Sequence, residues 1–443
     1  MSINPFSLKA QNVNKTMSDW QSLYAKPYDK ESVDPYTKCR IILANGAEYE
    51  AVKHSHALSR TTSDNDIRRE LALARRGEQQ QQKRLAVLKP IDESTLEHTI
   101  SYEQLAVDLT AHLAQTEPDK YVVQALNFAL LEDFDHLYRY ANLLEMTEGI
   151  KAEKLVGCYT EIMPARPTVA HHRHPYDSIK RHGNQNAALI TKLHAAIITA
   201  AEQQTMNYYM NICSFAGNLS GNACRPNVVT NDGTGARAKD YADLARRLYQ
   251  EIGMVEEDHV SMYGSLIDTD TSPLACNLMH EYTEAYLYWS NMETESDPRI
   301  KKIWELHFQQ ELAHLAAANA LLQKYERRDY QSVVGEGTFP APIVLQSNVD
   351  YVRKVLKDTV TNTGMREDYA KVETLPQSFD FFTYQKAVNK STSKVASHQV
   401  IAEHQSRFGT DYRYETSPNP IRSLRDRKTD NSTLGIAAAV GVE

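Results

Sequence analysis

Two stretches of this chain combine helical periodicity with the same polar signature, Glu256-x-x-His259 and Glu311-x-x-His314. Another apolar periodic stretch precedes each, carrying Glu202 before the first and Glu281 with Glu284 before the second. Residues three, four and seven apart share one face of a helix. Around Glu202 those positions hold Ala195, Ile198 and Tyr209; around Glu256 they hold Ile252, His259 and Tyr263. Around Glu281 they hold Leu274, Leu278 and Tyr288, and around Glu311 they hold Trp304, His307, Phe308 and His314. Each acid therefore lies on a stripe that should face a core. Burying an ion without a partner costs on the order of several kcal/mol even after relaxation. Few Lys or Arg sit on these stripes to compensate. Four carboxylates and two imidazoles from four helices suit a pair of hard, redox-capable metal ions, which would offset the acids charge for charge.

The texture of the chain sets its expected organisation. Residues 1–95 are polar, with a turn signal at Asn45-Gly46 and a glutamine run from Gln79 to Gln82, and read as an N-terminal extension with one helix over about 63–88. Residues 96–328 are dense in helical periodicity, and six helices are expected at about 101–115, 119–147, 187–215, 238–266, 273–293 and 298–326. Ser272-Pro273 and Asp297-Pro298 each supply a cap and a first-turn proline for the last two. Short links make the first two and the last two of these helices antiparallel hairpins. Residues 329–443 turn polar again, a C-terminal extension with a helix near 349–360 and further helical segments near 380–406. The expected fold class is all-α, a bundle of about six helices with polar N- and C-terminal extensions.

Composition narrows the class of function. The net charge of −8 gives no electrostatic support for nucleic-acid binding. Five scattered cysteines, Cys39, Cys158, Cys213, Cys224 and Cys276, form no Cys-x-x-Cys pair. That argues for a reduced, cytoplasmic setting and against a thiolate metal site. The opening MSINPFSLKAQN lacks the layout of a signal peptide. No apolar run reaches the roughly 18 residues of a membrane span, so no membrane partner is expected.

The ordered set Glu202, Glu256-x-x-His259, Glu281 or Glu284, Glu311-x-x-His314 resembles the ferritin-like di-iron carboxylate superfamily over about residues 187–326. VEEDHVSMY (255–263) and QQELAHL (309–315) carry the likeness. HEYTEAYLYW (280–289) is similar to the third helix of rubrerythrin-like members, where two Glu three apart both serve the metals. His307, four residues before Glu311, is similar to the additional His that arylamine N-oxygenases use as a seventh ligand; the other reading makes it a core histidine. The resemblance implies a ferritin-like bundle holding two iron ions, with manganese fitting the same oxygen-rich set. Its implied ligands are Glu202, Glu256, His259, Glu281, Glu284, His307, Glu311 and His314. It further implies a di-iron oxidoreductase reacting with O2 or peroxide. Electrons would come from the substrate or an external donor, because the paired Cys-x-x-Cys motifs of a rubredoxin are missing. The alternatives are a ferroxidase that handles iron and a structural, shell-associated helical protein with a vestigial site. The C-terminal DNSTLGIAAAVGVE is similar to the cargo-loading tails that bind encapsulin shells, and a homo-oligomer is expected.

Two features depart from the family pattern. The family places its long crossover between the second and third ligand helices. Here that link is only about 265–273, spanning at most about 27 Å when extended. A degenerate copy of the motif, Asp133-x-x-His136, also lies on an apolar stripe in LEDFDHLYRY. Its hairpin is either a lost site or the true partner of the last two helices. The run His171-His172-Arg173-His174 reads as a solvated loop in preference to a metal patch. Tyr208, Tyr209, Tyr263 and Tyr286 fall near candidate ligands; each can relay electrons, but the simpler role is core packing with a satisfied hydroxyl.

Overall fold

An acidic or hydroxyl residue followed by proline starts three of the long helices. Asp34 caps α1 (Pro35–Thr61), Ser272 caps α7 (Pro273–Thr294) and Asp297 caps α8 (Pro298–Glu326). Each cap side chain accepts a backbone N–H of the first turn, and the proline has no N–H there to lose. Asp64 caps α2 (Asn65–Ala86), Ser94 and Glu97 form a capping box on α3 (Thr95–Thr116), and Asp119 caps α4 (Lys120–Glu148). Gly149, in the left-handed region at φ 70°, ends α4. The remaining helices are α5 (Leu189–Ala223), α6 (Ala236–Gly264), α9 (Gln331–Val334), α10 (Val349–Thr359), α11 (Asp380–Asn389) and α12 (Ala396–Phe408). The computed structural model describes residues 3–168, 171, 186–223, 236–268, 270–364 and 370–409. His172 to His174 and the C-terminal segment likened to shell-binding tails lie outside them. Among the described residues there is no strand, only an isolated bridge between Asn362 and Lys371. No described helix is long and apolar enough to cross a membrane.

All six helices expected between 96 and 328 are present, and so are those at 63–88 and 349–360. The difference is α1, which covers a stretch read as polar and turn-bearing. Asn45-Gly46 does not turn the chain. A Cβ at Gly46 would stand 3.2 Å from Gln204 Cβ and 3.4 Å from the Ala200 carbonyl oxygen. The glycine serves close helix packing, which here overrides local turn preference.

The chain divides into two compact units. The first contains α1, α2, α5 as far as Gln204, and α7 to α9. The second contains α3, α4, the remainder of α5, α6 as far as Met262, and α10 to α12. In the first unit α1 packs on α7 and α2 on α8, so the first and last long hairpins of the chain fold together. In the second unit α10 and α12 pack on α4, burying Val352, Val355 and Leu356 of α10 and Val400 and Ile401 of α12. This differs from the expected division at 1–95, 96–328 and 329–443. The N-terminal stretch supplies half of one bundle, and the C-terminal stretch covers α4 of the other unit.

Candidate metal centres

Each long helix of the first unit's two hairpins brings at least one acid inward. Glu48 comes from α1, Glu78 from α2, Glu281 and Glu284 from α7, and Glu311 with His314 from α8. These residues are buried, none more than 4% exposed. Glu78, Glu281, Glu311 and His314 each offer one ligand atom within 4.8 Å of the others, and Glu48, Glu78 and Glu284 do the same. Glu78 belongs to both groups, so the acids form one continuous set. His314 Nδ1 lies 3.0 Å from Glu78, 3.3 Å from Glu311 and 3.9 Å from Glu281. Gln81, one turn beyond Glu78, donates from Nε2 to Glu311 Oε1 at 2.5 Å. The Tyr288 hydroxyl donates to Glu48.

Five buried carboxylates thus lie together with His314, and the His280 imidazole stands 3.4 Å from Glu284 at the edge of the set. Glu48 Oε2, Glu78 Oε2, Glu281 Oε2, both oxygens of Glu284 and His314 Nε2 have no hydrogen-bond partner among the described residues. Burial, reinforced by the Glu78 and Glu311 carboxylates, pushes Glu48 and Glu284 well above the usual carboxylate range. Burial and Glu78 do the same to Glu281. Burial disfavours charge on His314, but Glu311 and Glu78 overcome it and raise the imidazole well above its ordinary value. The bare set is thus destabilised by desolvation and mutual repulsion. Two divalent cations would carry four positive charges into it, and the donor set of carboxylate oxygens with one nitrogen suits iron or manganese. The residues therefore fit such a pair, with Glu48, Glu78, Glu281, Glu284, Glu311 and His314 as its holders.

The second unit has its own cluster, built differently. Glu103 from α3, Asp133 and His136 from α4 and Glu256 from α6 each place a ligand atom within 4.8 Å of the others. Here imidazoles alternate with acids. His136 Nδ1 is 3.0 Å from Glu256, and His259 joins Glu256 at 3.1 Å to Glu132 at 2.7 Å. His171 then joins Glu132 at 2.7 Å to Asp258 at 3.1 Å. Burial opposes charge on Glu256, but His136 and His259 overcome it and hold the carboxyl at about 2. By the same balance with Glu132 and Asp258, His171 is raised to about 9. This network is paired more fully than the acids of the first unit, although neither oxygen of Asp133 has a hydrogen-bond partner among the described residues and burial raises that carboxyl. Next to it Tyr209 donates to Glu103 Oε1 at 2.5 Å and packs against Tyr140 and Tyr249. Tyr286 of the first unit donates to the Ala341 carbonyl at 2.6 Å. Tyr209 and Tyr286 are core residues with satisfied hydroxyls.

The expected ligands therefore do not converge on one point. Glu281, Glu284, Glu311 and His314 come together in the first unit, with Glu48 and Glu78 in place of Glu202 and Glu256. Glu256 and His259 belong to the second unit, with Asp133 and His136 as their neighbours. The α3–α4 hairpin is thus the partner of α6 and not of α7 and α8. Glu202 is buried on α5. His307 is not among the clustered groups of the first unit. Its Nε2 lies 3.1 Å from Arg84 Nη1, an arginine that remains a donor at all ordinary pH, so that nitrogen acts as acceptor. Its ring packs edge-on against Tyr288. The two acids missed, Glu48 and Glu78, had signals of their own. Glu78-x-x-Gln81 repeats the spacing of Glu311-x-x-His314, and Asp34-Pro35 repeats the helix start found at Asp297-Pro298. No protein-family model, curated protein or solved structure matches this chain.

Proposed function

We propose that the first unit holds two iron ions between its two hairpins and that the protein is a di-iron oxidoreductase reacting with O2 or peroxide. One observation carries this reading: five buried carboxylates from four helices cluster with His314, and five of their ten oxygens have no hydrogen-bond partner among the described residues. A pair of ferrous ions supplies two electrons together to a bound oxidant. The chain's own residues provide the rest. Glu281 and Glu284 lie one turn apart on α7 and can serve different ions from one rigid element. Gln81 and Tyr288 hold Glu311 and Glu48 in fixed orientations through their hydrogen bonds. Leu278, Ala285, Leu315 and Ala318, on the same helices as the ligands, are buried beside them and keep bulk water out. Electrons come from the substrate or from a separate donor. Iron analysis of protein expressed with iron, together with the near-ultraviolet absorption of the oxidised form, tests this reading. About two irons per chain, lost together in Glu311→Ala, support it. A wild-type chain without iron or manganese contradicts it.

A further inference from the structure

The first unit also contains a cavity of about 140 Å³, bounded by α1, the first half of α5, the loop before α7, and α7 itself. Its walls are mostly apolar, with Ala195, Ala196, Leu266 and Met279 among them. At one end stand His54 and His280, their rings stacked with centroids 4.8 Å apart. His280 Nε2 is 3.4 Å from Glu284 Oε2. A single imidazole therefore separates the cavity from the acid cluster. Besides His280 Nε2, which is turned to Glu284, the buried atoms His54 Nε2 and Glu50 Oε2 on lining residues have no hydrogen-bond partner among the described residues. Buried polar groups are ordinarily paired, and an unpaired carboxylate oxygen calls for a donor. The mouth includes Ile267, 37% exposed.

We infer that this cavity binds a small, mostly apolar organic molecule of about one ring carrying a single hydroxyl or amine, and that this molecule is the organic substrate of the neighbouring centre. The substrate role rests on the metal reading above; the binding site does not. Size sets the class, because an apolar cavity of about 150 Å³ accommodates a single benzene ring. Chemistry sets the handle. A hydroxyl or amine hydrogen satisfies Glu50, and the same group can bond His54, while the ring lies along the alanine and methionine walls.

The test uses phenol as the probe, followed by saturation-transfer NMR on the full chain, both metal-free and iron-loaded, with iron content measured on the same samples. Wild type is expected to bind phenol in both states. Ala196→Phe, which fills the cavity, and Ile267→Trp, which narrows its exposed mouth, are each expected to weaken binding about tenfold or more without changing iron content. The mouth variant changes an exposed position, so the test does not depend on the filled variant folding. No phenol binding by wild type, or equal binding in both variants, overturns the site even if two irons are present. Phenol bound by a chain that takes up no iron overturns the substrate role and leaves the cavity as a binding site only.

Discussion

His314 Nδ1 on α8 stands 3.0 Å from Glu78 Oε1 on α2, and this contact joins the last long hairpin of the chain to the first. Gly77 makes room for it. A Cβ at that position would lie 2.6 Å from His314 Nε2 and 2.8 Å from Cε1. In an ordinary helix interior Gly→Ala gains about 1 kcal/mol. Here Gly77→Ala is expected to displace the imidazole, lower iron affinity and bring no gain in stability. Thermal unfolding and iron titration of this variant check the point. A more stable protein with unchanged iron binding would remove His314 from the site.

The acid cluster predicts how metal-free stability depends on pH. Glu48, Glu281 and Glu284 have folded-state values raised by burial above those of the unfolded chain. The native state therefore retains protons that the unfolded state has released, and stability falls as pH rises above the usual carboxylate range. The slope is about 1.4 kcal/mol per pH unit for each carboxyl still protonated. Glu284→Gln is expected to flatten this slope in the metal-free protein, and iron is expected to reverse it in wild type. Urea midpoints measured from pH 5 to 8 decide the matter.

His307 separates a ligand from a neighbour. Its Nε2 accepts from Arg84 at 3.1 Å, and it stands outside the groups that can share a metal ion. His307→Ala is expected to leave the iron count unchanged while costing about 2–4 kcal/mol of stability. Such a cost arises from a buried ring lost and one N–H of Arg84 left without its acceptor. Loss of one iron in this variant would restore the seventh-ligand reading.

Glu251 on α6 offers a prediction independent of metal. Its carboxylate accepts the backbone N–H groups of Ala396 at 2.6 Å and Ser397 at 2.9 Å, capping α12 from a distant helix. Glu251→Ala is expected to cost about 1–2 kcal/mol and to raise amide exchange across α12. Exchange unchanged in α12 would show that the cap contributes little.

Much of the fold was legible in the sequence, and much of the grouping was not. Caps with a following proline placed α7 and α8 accurately, because those signals are local. The phase of Glu281, Glu284, Glu311 and His314 was legible for the same reason: helical spacing alone puts them on one face. Which helices share a bundle depends on contacts between hairpins at opposite ends of the chain, and no local pattern encodes that. The order Glu202, Glu256, Glu281, Glu311 suggested one centre only because the four helices are consecutive. Glu48 was hidden by Asn45-Gly46, whose glycine serves packing against α5 in place of a turn. Glu78 was hidden by the glutamine run beside it, one member of which, Gln81, bonds Glu311.

The central claim is that paired cations compensate the acids of the first unit. Iron per chain, measured for wild type, Glu281→Ala with Glu311→Ala, and Glu256→Ala, tests it most directly. The account predicts that the first-unit double variant loses about two irons relative to wild type while Glu256→Ala still fills the first unit. An iron count unaffected by removing Glu281 and Glu311 would contradict it.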